Sequence, residues 1–219
     1  MKIFRNSFLL LIFSAFLCSF ASGQKVTEAN PGALDLVMGN LNGRIYTNEL
    51  LKFELKLPDE GIILNQAEID VYKNAGVDLL KNGNAQNDAR IETAARKEVI
   101  ILNYAHKPLG STGNFILVIG TVKQNSGVTL PMVVAATLKG MTATGKFELL
   151  KSLTGVVIGG LKADGLEGTL TTNTGIKVKE RILILMRNGY SISFVLNGVD
   201  DAGLDSAQDI LIPLKFFPK

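Results

Sequence analysis

Few side chains in this sequence are of a type and spacing that could do chemistry. His106 is the only histidine in 219 residues. It stands close to Ser111 and Thr112, a pairing a hydrolase could use, but no acid that would orient the imidazole is visible nearby. A lone histidine without carboxylates at ligand spacing also makes no zinc site. Asp200, Asp201, Asp205 and Asp209 form the densest acidic cluster. It lacks the Asp-x-Asp-x-Asp-Gly register of a calcium loop, so helix capping and a solvated face explain it more simply. Gly140 to Phe147 reads GMTATGKF, a phosphate-loop spacing with Phe147 where a magnesium-holding hydroxyl belongs. Glu167 and Glu180 fall on expected strands with nothing to pair them as acid and base. The residues therefore predict no catalytic set, no metal site and no cofactor.

Compartment and charge narrow the classes further. Lys2 and Arg5 precede an apolar run from Phe8 to Phe20, followed by Ala21-Ser22-Gly23. That is the pattern of a secretory signal peptide over residues 1–23, with cleavage near Gly23, and the run is too short to span a bilayer. The expected location is the periplasm or the exterior. Cys18 is the one cysteine; Phe16-Leu17 before it do not fit a lipidation site, and its removal leaves no thiol for disulfides or metal. Removing Lys2 and Arg5 from the 23 basic residues leaves 21 against 20 acidic ones, a net charge of +1. No basic block stands out, which argues against nucleic acid as a partner. No later run reaches membrane-spanning length.

The elements that must position these residues centre on Ile176 to Leu196. Asn188-Gly189 sits between two runs of β-branched and aromatic residues, the signature of a two-residue hairpin with a type I′ turn. That loop fixes the register: Arg187 opposite Tyr190, Leu185 opposite Ile192, Leu183 opposite Phe194, Arg181 opposite Leu196. This face suits a core under helices. The other carries Met186 with Ser191, Ile184 with Ser193, Ile182 with Val195 and Glu180 with Asn197. It is too apolar to be wet, so partial cover by the chain's own segments is the plainer reading. Ile182, Ile184, Met186, Ser191 and Ser193 are otherwise the candidate interaction face for a partner.

Earlier in the chain, residues 24–43 read as an N-terminal lead and 44–219 as a single domain. Leu51, Phe53, Leu55 and Leu57 alternate with Lys52, Glu54 and Lys56, which is a half-buried strand. Asn65 caps a helix closed by Lys81-Asn82-Gly83, and Asn84 to Asp88 reads as a loop. Strands are expected over Lys97–Tyr104 and Phe115–Val122, and a helix over Leu130–Lys139 with Pro131 in its first turn. A helical piece is expected over Gly145–Ser152. Further strands follow at Val156–Leu161 and Leu166–Thr172, parted by Ala163-Asp164-Gly165. A short helix over Leu204–Gln208, capped by Asp200 or Asp201, precedes a last strand over Ile210–Phe216. Sequential strands imply one antiparallel, meander-rich sheet covered by two or three helices, the α+β class.

Two stretches resemble a known family. Tyr46-Thr47-Asn48 followed by Leu51, Phe53, Leu55, Leu57 and Pro58 is similar to the opening strand of the PsbP/DcrB-like α/β sandwich proteins. Lys179-Glu180-Arg181, Gly189-Tyr190 and the closing Lys215-Phe216 resemble that family's end. Pro58 leads here to Asp59-Glu60-Gly61 in place of the Gly-Trp such proteins often carry. The resemblance implies a small exported domain with no catalytic motif to carry over. Together these readings predict a non-enzymatic, exported domain that binds a protein or cell-envelope component. A small-ligand carrier with a pocket between helices and sheet is the alternative, and a hydrolase built on His106 or the Asp200–Asp209 cluster is the third.

Overall fold

The computed structural model describes residues 37–81, 83–108, 111, 113–171, 175 and 177–218. The expected signal peptide and most of the N-terminal lead lie outside them. In chain order the elements are β1 (Asn40–Asn42), β2 (Ile45–Asn48), β3 (Phe53–Lys56), β4 (Ile62–Ile63), α1 (Gln66–Leu80), α2 (Ala85–Lys97), β5 (Val99–Ala105) and β6 (Phe115–Lys123). There follow α3 (Leu130–Ala143), β7 (Phe147–Ile158), β8 (Leu161–Thr171), β9 (Lys177–Arg187), β10 (Tyr190–Gly198), α4 (Asp201–Asp209) and β11 (Lys215–Phe216).

The central hairpin forms in the expected register, from Arg187 opposite Tyr190 to Glu180 opposite Asn197. Asn188 and Gly189 take φ of 50° and 79°, the left-handed pair that a type I′ turn requires. β10 is the middle of a seven-stranded sheet ordered β4-β5-β6-β10-β9-β8-β7. The expectation of one sheet needs correcting. The alternating Phe53 and Leu55 strand does not join the large sheet; it pairs with β2 and β11, and β1 pairs with β2, as a second sheet ordered β1-β2-β3-β11. All pairings are antiparallel. The fold thus begins before residue 44, with Val37 already buried.

The molecule has three layers: α1, α2 and α3 cover the face of the hairpin opposite to the one expected, and α4 with the small sheet covers the expected one. Leu183, Leu185, Ile192 and Phe194 pack against Tyr46, Phe53 and Leu55 of the small sheet and Leu204 and Ala207 of α4. Ile182, Ile184 and Val195 pack under Ile69 and Val77 of α1, Ile91 and Ala95 of α2, and Val133 and Met141 of α3. Each face buries branched aliphatic surface, at about 25 cal/mol per Å² of apolar area removed from water.

Other boundaries shift for local reasons. α1 starts at a full capping box: Asn65 Oδ1 accepts from Glu68 N (3.0 Å), and Asn65 N donates to Glu68 Oε2 (2.8 Å). The expected loop over Asn84–Asp88 is the start of α2, a helix so polar overall that its short apolar stripe did not stand out. The expected helix over Gly145–Ser152 is instead the start of β7: Gly145, at φ 69°, stops α3 and turns the chain. The β7–β8 turn is Gly159-Gly160, not Ala163–Gly165. Gly165 lies within β8, where a Cβ would collide with the Ile182 carbonyl, so its glycine serves close strand approach. The last strand shrinks to Lys215–Phe216. Successive turns through Leu211, Ile212 and Leu214, with Pro213 offering no N–H, hold that segment out of the sheet.

Candidate functional site

The candidate interaction face on the hairpin is not at the surface. Ile182, Ile184, Ser191 and Ser193 are buried and Met186 is half-buried, all beneath the helical layer. The serines serve internal contacts. Ser191 Oγ accepts from Gln124 Nε2 at 2.8 Å, and Ser193 Oγ lies within bonding distance of Glu98 Oε1 (3.3 Å) and the Gly120 carbonyl (3.2 Å). A partner cannot reach Ile182, Ile184, Ser191 or Ser193 while the helices are in place, and only Met186 keeps partial exposure.

The Asp200–Asp209 cluster is dispersed into structural duties. Asp200 Oδ1 caps α4 by accepting from Gly203 N at 2.8 Å. Asp201 pairs with Lys179 (3.3 Å) and Asp205 with Arg181 (3.1 Å). Arg181 also bonds Gln208 Oε1 and Glu167 Oε2, both at 2.6 Å, so it ties α4 to β8. Among the described residues no group of three or more His, Cys, Asp or Glu is placed to hold a metal ion. Gly140 to Phe147 runs from the end of α3 into β7, the carbonyl end of a helix, where an anion finds no N–H groups. Glu167 and Glu180 are both buried on neighbouring strands, but Glu167 belongs to the Arg181 and Lys151 ion pairs.

His106 and Asp209 both line a groove at the junction of both sheets with α4. It holds about 500 Å³ and is lined by residues from Lys56 to Glu60, by Tyr104, His106 and Phe115, and by Ser206, Asp209, Ile210 and Pro213. The His106 ring stacks flat on Phe115, with centroids 4.5 Å apart and an interplanar angle of 5°. Tyr104 donates its hydroxyl proton to the Glu60 carbonyl at 3.0 Å. Burial pushes the Tyr104 phenol up from its ordinary value. Arg44 fixes the adjacent turn by donating to the Asp59 and Gly61 carbonyls (2.8 and 2.9 Å). The groove therefore has an aromatic floor, Pro58 and Pro213 beside it, and Asp59, Glu60 and Asp209 against the single lining cation Lys56. No hydrogen bond joins the imidazole to an acid among the described residues.

A second feature escaped the sequence reading. Glu98 follows α2 and is only 1% exposed. Its N–H donates to the Ala94 carbonyl (3.2 Å), ending the helix, and its own carbonyl accepts from Lys73 Nζ of α1 (2.9 Å). The carboxyl group lies over Gly120; a Cβ there would collide with Glu98 Oε1 and approach Ser193 Oγ to 3.0 Å. Among the described residues Glu98 Oε2 has no hydrogen-bond partner, and neither has either amide atom of Asn103, which is fully buried on β5. Burial raises the Glu98 carboxyl well above the ordinary range; the Lys73 charge and the Ser193 hydroxyl oppose this and do not prevail. Burial likewise lowers Lys73, against the pull of Glu98 and Asp70. The sequence signal was a glutamate at the entry of an apolar strand, which alone does not say that the side chain turns inward.

No protein-family model matches the chain, and no curated protein matches its sequence. Solved structures do share aspects of its fold. The solution structure of PsbP from the cyanobacterium Synechocystis is 13% identical, with a TM-score of 0.49 over 82% of this chain and 98% of that one. Mycobacterium tuberculosis LpqN, described as involved in cell envelope biogenesis, is 11% identical, with a TM-score of 0.45 over 76% and 83%. A Bacteroides thetaiotaomicron protein is 12% identical, with a TM-score of 0.43 over 82% of this chain and 50% of its own. All three matches are likenesses of fold alone, at identities of 11–13%. Among the described residues, no helix is long and apolar enough to cross a membrane.

Proposed function

We propose that this chain is an exported, non-enzymatic domain that binds a protein or cell-envelope component through the groove at the junction of the two sheets with α4. The observation that carries the reading is the pairing of an aromatic floor, Tyr104 with the stacked His106 and Phe115, with the acids Asp59, Glu60 and Asp209. A lysine or arginine side chain from a partner suits such a surface. The partly exposed Phe115 can attract a cation by about 0.5–2 kcal/mol, depending on desolvation, the buried Tyr104 only shapes the floor, and the carboxylates add charge complementarity. Export is supported by the N-terminal charged and apolar pattern. The non-enzymatic reading is supported by His106, whose ring is committed to stacking and has no acid to orient it.

The test is fluorescence anisotropy with a labelled lysine- and proline-rich peptide and an acidic peptide of equal length. The basic peptide should bind, more weakly as salt rises, and the triple variant Asp59→Asn, Glu60→Gln, Asp209→Asn should bind it at least tenfold more weakly. Equal binding of both peptides, or a triple variant that binds like the parent, would show the groove is not the contact.

A further inference from the structure

α1 and α2 leave a cleft of about 560 Å³ between them, on the opposite side of the large sheet from the groove. Val77 and Ala95 form its apolar base, and Asp70, Lys73, Asn74, Lys81, Glu92 and Arg96 complete the lining. Of the two acids, Glu92 is charge-paired, while Asp70 is hydrogen-bonded to a neutral amide and its charge also acts on Lys73. Glu92 pairs with Lys81 at 2.8 Å, and Asp70 accepts from Gln66 Nε2 at 2.8 Å. Arg96 and Asn74 have no hydrogen-bond or ion-pair partner among the described residues. Lys73 reaches from the cleft to the Glu98 carbonyl. Glu98 does not itself line the cleft; its buried carboxyl group, with Oε2 unpartnered among the described residues, lies over Gly120 in a space where a Cβ would collide. Burial raises the proton affinity of the Glu98 carboxyl group and lowers that of Lys73.

We infer that this cleft is a second binding site, for a small oxyanion such as a carboxylate or phosphate, gripped by Arg96 and Lys73 with the Glu98 carboxyl group behind them. A guanidinium offers two parallel N–H donors in the geometry such an anion accepts, and Lys73 adds a point charge. The Asn74 amide extends the donor set. The Glu98 carboxyl sets the field: protonated, it leaves the site cationic; ionised, it competes with the anion for Lys73. Anion affinity therefore falls as pH rises through the Glu98 ionisation.

The test is a heteronuclear NMR titration of the purified chain with acetate and, separately, inorganic phosphate, at constant ionic strength with chloride as the control. Saturable shifts confined to α1, α2 and Glu98 are expected with at least one anion, and which of them binds more tightly identifies the source. Arg96→Ala should weaken binding at least tenfold. Glu98→Gln should keep acetate binding and reduce its weakening with rising pH to the part that loss of the Lys73 charge imposes. Shifts no different from chloride, or an Arg96→Ala variant with parental affinity, would overturn the inference. A Glu98→Gln variant that keeps the parental pH profile would remove Glu98 from the site. Either result leaves the peptide groove untouched, since its signals come from β5, β6 and α4.

Discussion

Replacing Gly120 with Ala probes the buried carboxyl group without touching any charge. The added methyl would stand where Glu98 Oε1 now sits and 3.0 Å from Ser193 Oγ. Glu98 lies at 1% exposure under α1 and α2, so the carboxyl group has little room to retreat. Overpacking a filled core costs about 1–3 kcal/mol. Displacing Glu98 also breaks its contact with Ser193, and leaving a buried polar group without its partner costs a further ~1–3 kcal/mol. Gly120→Ala should therefore lose about 2–6 kcal/mol, a large share of the roughly 5–15 kcal/mol that stabilises a typical domain. In a Glu98→Ala background the methyl meets a void instead, and the same substitution should cost less than about 1 kcal/mol, apart from glycine's own strand effects. Urea denaturation of the four proteins of the cycle, followed by far-UV circular dichroism, gives the coupling energy. A coupling near zero, with Gly120→Ala equally harmful in both backgrounds, would refute the claim that glycine is there to house the carboxylate.

Three other outcomes follow from the geometry. Glu98 has a folded-state pKa above its unfolded one, so its stabilising contribution is complete below the ordinary carboxylate pKa. It declines as pH rises from there toward the raised value, at up to about 1.4 kcal/mol per pH unit. Glu98→Gln should flatten that part of the stability profile in denaturant titrations, and an unchanged slope would remove Glu98 as its source. Asp200→Ala, which deletes the α4 cap, should cost about 1 kcal/mol in the same assay, while Asp201→Ala, on an exposed ion pair, should cost a few tenths at most. Arg187 is buried, donates to the Leu51 carbonyl (2.9 Å) and the Phe217 carbonyl, and lies 5.0 Å from the Phe216 ring centre. Arg187→Met should cost about 2–3 kcal/mol and loosen β11, seen as faster amide exchange at Lys215 and Phe216.

Local chemistry was the part of this fold the sequence declared. Asn188-Gly189 fixed the register of β9 and β10, Asn65 with Glu68 fixed the start of α1, and the Leu51 to Leu57 alternation marked its buried face. Layering was not declared. Both hairpin faces are apolar, so periodicity could not say which lies under helices and which under the small sheet. α2 carries only Ile91, Ala94 and Ala95 as buried apolar residues, too few to stand out in AQNDARIETAARK. The candidate sites were legible only in pieces. His106 and Asp209 lie far apart in sequence and reach one groove because the β5–β6 connection and the end of α4 meet at one corner of the molecule. Glu98 became visible only through contacts with Lys73, Gly120 and Ser193, which lie on three other elements.

The groove is the centre of the functional account, and one measurement bears on it most directly. Amide and aromatic NMR signals of the purified chain should be followed as the lysine- and proline-rich peptide is added. The account predicts saturable shifts at Tyr104, His106 and Phe115 and at the Asp59-Glu60 turn, with α1 and α2 unmoved. Shifts that are absent, or that fall on another face while these residues stay still, would contradict it.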